Sequence, residues 1–156
     1  MPRRVLITGA TGEIGLLLAE RLRDDYDLIQ HGRTPRTEEQ EHDLQEADLE
    51  DFDQVRSLMD GVDTVLHLAG SASPESPWED VLGANIVGLR NVLEASREQG
   101  VRRVVFASSN HAMGMYDRHE EWPVYPHHLP RADSLYGVTM RGDGISTVVS
   151  QRLTQD

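Results

Sequence analysis

Gly9, Gly12 and Gly15 stand at intervals of three directly after the apolar run Val5, Leu6 and Ile7. Glycines so placed suit contact with an anion. Gly9 permits a tight turn, Gly12 lets the main chain approach a phosphate, and Gly15 lets a following helix pack against the strand. Thr11, Glu13 and Ile14 complete the turn, and Ile14, Leu17, Leu18 and Leu22 recur at helical spacing. A helix that starts there aims its free N–H groups and the positive end of its dipole at the ligand. Ordinary βα units also close on glycine, but this triplet lies between a clear strand and a clear helix. The pattern predicts a seat for a dinucleotide pyrophosphate.

The elements that must position such a ligand alternate along the chain. Asp27 to His31 reads as a second strand ending at Gly32, and the polar residues 34 to 43 read as a solvated loop. Leu44 to Asp48 predicts a short third strand. Asp51 and Gln54 have capping-box spacing ahead of Phe52, Val55, Leu58 and Met59, and Gly61 stops that helix. Val62 to Leu68 predicts a fourth strand. Ala84 to Gln99 predicts a helix with Ile86, Leu89, Leu93 and Ala95 mostly inward, and Arg102 to Ala107 a fifth strand. Strands separated by helices imply a doubly wound parallel α/β sheet of the Rossmann type, with about five to six strands. Small or polar residues follow each strand at the same end: Thr8 and Gly9, Gly32 and Arg33, Asp48 and Leu49, Ala69 to Ser71, and Ser108 to His111. Together they outline one crevice.

Composition narrows the chemistry. A chain of 156 residues predicts one domain, residues 1–156. It has no cysteine, which excludes disulfides, thiolate catalysis and cysteine-bound zinc. His127 and His128, beside Pro126 and Pro130, read as loop residues rather than metal ligands, so no metal is expected. No apolar run approaches a membrane span and none near the N-terminus suits a secretory signal, so a soluble cytoplasmic protein is expected. A net charge of −12 argues against nucleic acid. All fifteen basic residues are arginine, so no step that needs a lysine ammonium has a candidate in this chain.

Several motifs together resemble the extended short-chain dehydrogenase/reductases, also called NAD-dependent epimerase/dehydratases. They are Thr8 to Gly15, Asp48 with Leu49, His67 to Gly70, Asn85 through Gly88 and Asn91 to Ala95, and Ser108 with Ser109 before Tyr136. Phe106 to His111 and Asp133 to Gly137 are similar to the uronate dehydrogenase branch. The resemblance covers about residues 3–139. It implies that Gly9, Thr11, Gly12, Glu13, Ile14 and Gly15 hold the NAD pyrophosphate. Asp48 and Leu49 would flank the adenine, and Leu68, Ala69 and Gly70 would line the cofactor near its ribose. It further implies that Ser109 hydrogen-bonds the reacting hydroxyl and Tyr136 accepts its proton. Asn110 and His111, helped by Ser71 or Ser73, would contact a sugar-acid substrate. The implied reaction oxidises a sugar C1 hydroxyl to a lactone by hydride transfer.

The chain departs from that family at three places. The family's tyrosine is followed four residues later by a lysine, one helical turn on, which lowers the phenol pKa; here Met140 stands in that position. Residues 141–156 form an atypical tail, in which Gly142 and Gly144 leave room for barely two helical turns after Tyr136. Ile145 to Val149 looks like a sixth strand arriving early. These features predict a shortened member that lacks most of the C-terminal substrate region, with impaired activity and a doubtful homodimer. Third, the second strand ends in His31, Gly32 and Arg33, where NAD users carry an acid; Arg33 suits a 2′-phosphate and leaves NADP open. Two alternatives stand beside the dehydrogenase: a non-catalytic dinucleotide-binding remnant or sensor, and a nucleotide-sugar epimerase or dehydratase.

Overall fold

The computed structural model describes residues 2–73, 75–108, 134–140 and 146–152. It divides into two compact units, Met1–Phe106 and Ala107–Asp156.

The first unit is a five-stranded sheet between helical layers. Its strands are β1 (Arg4–Thr8), β2 (Asp27–His31), β3 (Leu44–Gln45), β4 (Thr64–His67) and β5 (Arg103–Phe106), in the order β3-β2-β1-β4-β5. Every neighbouring pair is parallel. The doubly wound expectation is thereby met with five strands. Register places Gln45, His31, Thr8, His67 and Phe106 in one row at the carboxyl ends.

Alternation along β1 feeds both faces of the sheet. Leu6 packs with Val65, with Val55 of α3 (Phe52–Leu58) and Met59 just after it, and with Val92 and Ala95 of α5 (Gly88–Glu98). Val5 and Ile7 pack on the opposite face with Ala10 and with Ala19 of α1 (Glu13–Leu22). Leu6, Ile7, Val55, Met59, Val65 and Val92 are fully buried, each worth about 1.5–3 kcal/mol relative to exposure. Asp51 caps α3 as its spacing predicts, accepting from the Asp53 and Gln54 N–H groups.

Four expectations need correction. The loop expected over residues 34–43 contains a helix, α2 (Glu38–Asp43), capped by Thr37, with three glutamates favouring its positive end. The helix expected from Ala84 begins earlier, as α4 (Trp78–Val81), and reaches α5 through a π-helical stretch, Leu82–Val87, in which the Gly88 N–H reaches the Gly83 carbonyl. Its inward row is Gly88, Asn91, Val92, Ala95 and Ser96, whereas Ile86 and Leu93 are 55% and 47% exposed. Apolar periodicity discounted Asn91, which is buried because its amide is satisfied by main chain. Third, β3 stops at Gln45 instead of continuing to Asp48.

The fourth correction lies in the second unit. Tyr136 does not begin a helix; it lies in β6 (Ser134–Met140), which pairs antiparallel with β7 (Ser146–Arg152), Tyr136 opposite Ser150 and Met140 opposite Ser146. The sixth strand is therefore present but forms a separate two-stranded sheet. The cause is local: Val138, Thr139, Thr147, Val148 and Val149 are β-branched and Gly137 is a poor helix former.

Candidate dinucleotide site

The glycine turn leaves β1 at Thr8 and is held from several sides. Gly9 has φ 72°, a left-handed conformation that glycine adopts without strain, and a Cβ on it would lie 2.7 Å from the Ala69 nitrogen. The Gly12 N–H donates to the Gly9 carbonyl at 3.0 Å, and the Ala10 N–H to the His31 carbonyl at 2.9 Å. A Cβ at Gly15 would collide with the Gly9 carbonyl oxygen and lie 2.6 Å from Ala10 Cα. Gly15 is therefore the position where α1 packs directly on the turn. Gly12, Glu13 and Ile14 are exposed, and no side chain caps α1. The free N–H groups of its first turn are the donors an anion needs.

A buried polar group lies beneath this turn. The Ala69 N–H donates to Thr8 Oγ1 at 3.3 Å, and Thr8 Oγ1 lies 2.6 Å from His67 Nδ1. The Thr8 hydroxyl thus links the Ala69 N–H to the His67 ring. Burial, then the neighbouring His31, pushes His67 down to about 4, and its ring stacks on Phe106 at 5.7 Å. His31 Nε2 donates to the Ala47 carbonyl at 3.0 Å, and its Nδ1 has no partner among the described residues. Burial lowers the His31 pKa, partly offset by that carbonyl. Both rings are neutral near pH 7.

Two asparagines of the π-α5 helix fix the neighbouring strand ends. Asn85 Oδ1 accepts from the Ser71 N–H at 2.7 Å, and its Nδ2 donates to the Ser71 carbonyl at 2.9 Å. Asn91 Nδ2 donates to the Leu49 and Glu50 carbonyls at 2.9 and 3.0 Å. Leu49 is half-buried and Asp48 exposed, Asp48 Oδ1 accepting from the Glu50 N–H. Leu68, Ala69 and Gly70 follow β4 beside the turn, with Gly70 exposed. Ser71 hydrogen-bonds Ser76, and Ser73 accepts from the Glu75 N–H.

The first unit thus brings together Gly9, Thr11, Gly12, Glu13, Ile14, Gly15, Arg33, Asp48, Leu49, Leu68, Ala69 and Gly70 at the carboxyl ends of β1 to β4. Tyr136 belongs to β6 of the second unit. Ser109, Asn110 and His111 lie outside the described residues, as do His127 and His128. A cleft of about 720 Å³ also opens on the β2–β3 side, walled by Arg4, Tyr26, Gln30, Glu39, Gln45 and Asp60. No residue of the glycine turn lines it, so chemistry rather than size locates the site. Two residues that sequence reasoning missed, Arg36 and Gln40, hold the β2–α2 loop against the turn; the acids around them made the segment read as solvent-facing.

The family model for the NAD dependent epimerase/dehydratase family matches residues 5–140. An NAD-dependent glucose-6-phosphate dehydrogenase of Haloferax volcanii is 40% identical over 89% of this chain and 59% of its own length. A uronate dehydrogenase of Pseudomonas syringae is 41% identical over 87% of this chain and 50% of its own. The chain therefore spans about half the length of the curated relatives it matches. Among solved structures, a uronate dehydrogenase mutant from Agrobacterium tumefaciens complexed with NAD superposes with a TM-score of 0.60 at 37% identity, covering 71% of this chain and 42% of that one.

Proposed function

The chain belongs to the NAD dependent epimerase/dehydratase family, and from that premise we propose that its first unit seats a nicotinamide dinucleotide in an oxidoreductase of the uronate dehydrogenase type. One observation carries the reading: an exposed Gly12 beside an uncapped α1, with Gly9 and Gly15 packed against main chain. Those features fit a diphosphate, and Gly9, Thr11, Gly12, Glu13, Ile14 and Gly15 would hold it. Asp48 and Leu49 would border the adenine, and Leu68, Ala69 and Gly70 the nicotinamide side. NAD is the coenzyme of this reading and NADP the alternative. When bound, it supplies an acceptor for the hydride that leaves the sugar C1. Ser109 would hydrogen-bond the reacting hydroxyl and Tyr136 take its proton. Asn110, His111, Ser71 and Ser73 would hold the sugar acid, whose product is a lactone.

A second reading, a dinucleotide-binding module without turnover, is favoured by Met140 and by the β6 strand that carries Tyr136. A thioether neither lowers the phenol pKa nor donates a hydrogen bond. On this account the 156 residues bind coenzyme yet turn over glucuronate or galacturonate slowly or not at all. Thermal melting with and without coenzyme tests the seat, since a ligand at about 100 times its Kd stabilises a folded state by about 2.7 kcal/mol. An unchanged midpoint with both NAD and NADP defeats the dinucleotide reading. Robust NADH formation from either uronate defeats the module and favours the dehydrogenase.

A further inference from the structure

The edge strand β3 covers only part of its neighbour. It pairs with β2 at Gln30 and His31 alone, while β2 begins at Asp27. Along an extended strand the N–H and C=O of one residue point to the same side, and those of the next residue to the other. The Asp27 N–H donates to the Arg3 carbonyl on the β1 side, and the Gly32 N–H to the Gln45 carbonyl on the β3 side. Leu28 therefore turns both of its main-chain groups toward the open edge, where neither has a partner among the described residues.

The cleft of about 720 Å³ opens at this gap, with Leu28, Ile29 and Gln30 in its wall. Its two sides belong to the two faces of the sheet: Tyr26 and Leu28 pack with Val5, Ile7 and Ala19, whereas Ile29 and Leu58 pack with Leu6 and Val55. The charge around it is unbalanced. Its two cations, Arg4 and Arg23, are engaged by Asp27 at 2.8 Å and Glu39 at 3.1 Å. Asp43, Glu46 and Asp60 line the same cleft and make no ion pair among the described residues.

An unpaired N–H beside an unpaired C=O, in a groove walled on both faces, is a surface to which an extended peptide adds as a further strand. We propose that the open edge of β2 at Leu28 is a docking site for an extended basic peptide, whose cationic side chains meet Asp43, Glu46 and Asp60. Such a strand lies about 4.8 Å from β2, and its alternate side chains face the two walls. Main-chain bonds give the pairing and the carboxylates select the sign of charge. A second copy of this chain suits the edge poorly, because each copy carries a net charge of −12. No residue of the glycine turn lines the cleft, so this docking is independent of coenzyme.

Fluorescence anisotropy on the intact chain tests it, with a labelled heptapeptide of alternating arginine and valine as the probe. That peptide is expected to bind saturably, and its counterpart with glutamate for arginine not to bind. N-methylation of alternate residues should weaken binding by at least about tenfold in one register and change it little in the other. Leu28→Pro removes the edge donor without breaking a bond to β1 and should abolish binding; should that variant not fold, Asp43→Asn with Asp60→Asn, both on exposed residues, should weaken binding severalfold and flatten its salt dependence. Equal binding of the two methylated peptides, or equal displacement by spermidine, overturns the added strand. No binding of the arginine peptide, or self-association of the chain that Leu28→Pro abolishes, overturns it as well.

Discussion

The parallel sheet of the first unit and the hairpin of the second contrast in how they are specified. In the first, apolar runs, glycine spacing and the Asp51 cap all favour one arrangement, and the structure has it: β2 covers Asp27–His31, and α1 starts at Glu13 directly after the third-spaced glycine pair. In the second, local preference and kinship disagree. Similarity to relatives asks for a helix from Tyr136, while the β-branched residues of the segment ask for a strand, and the strand forms. One position where the chain departs from the family, Met140, closes that strand. The residues proposed to hold the coenzyme rest on local physics here, and those proposed to carry the reaction rest on resemblance.

The same substitution in the two regions separates them most widely. Gly15→Val places a side chain against the Gly9 carbonyl and Ala10 main chain, neither of which can rotate away. It should cost about 3 kcal/mol or more and abolish the coenzyme-induced rise in melting temperature. Gly137→Val, in β6 opposite Val149, improves strand propensity and should shift stability by less than about 1 kcal/mol. Equal losses at both positions break the comparison.

Acid sharpens it next. His67 has its pKa held near 4 in the folded state against 6.5 unfolded, so the unfolded chain binds the extra proton between those values. Its stabilising contribution is complete above pH 6.5 and is lost as pH falls toward 4, by at most about 3 kcal/mol. Asp63, held down to about 2 beside Arg102, loses its contribution only below the ordinary carboxylate range. Denaturant melts from about pH 7.5 to 4 should show stability falling with acid, with His31, also lowered by burial, contributing in the same direction, and His67→Gln should reduce the slope. A slope unchanged by that substitution assigns the titration to other groups.

A smaller effect is expected at Asn91, whose amide serves two carbonyls after β3. Asn91→Ala leaves both without a donor and should cost about 2 kcal/mol, measured by urea unfolding. It should also weaken coenzyme binding by displacing Asp48 and Leu49; an unchanged affinity removes Asn91 from the site's support.

Asn91 also marks where sequence reading stops. Strands, glycine turn and the α3 cap were legible because each is a local preference repeated along the chain. The inward face of α5 was not, since it runs through Gly88, Asn91 and Ser96, whose burial depends on partners remote in sequence. Arg36 and Gln40 were hidden for the same reason: among acids they read as solvated, and only Ala10, Thr11 and Gln30 give them a role. Tyr136 was misplaced because kinship was weighted above the propensity of its neighbours.

The smallest expected change is at Met140. If the missing ammonium were the sole defect, Met140→Lys would restore turnover, because a cation one helical turn from Tyr136 lowers its pKa from about 10. In β6, however, residues four apart are not one turn apart; they are separated by about 13 Å of extended chain. On a strand the added lysine therefore does not stand one turn from Tyr136, as it would on a helix. Met140→Lys should therefore leave NADH formation from glucuronate at its starting rate and the melting temperature nearly unchanged. A rise of about a hundredfold would mean that Tyr136 and residue 140 share a helical face during turnover, and the contrast between the two units would then describe only the resting chain.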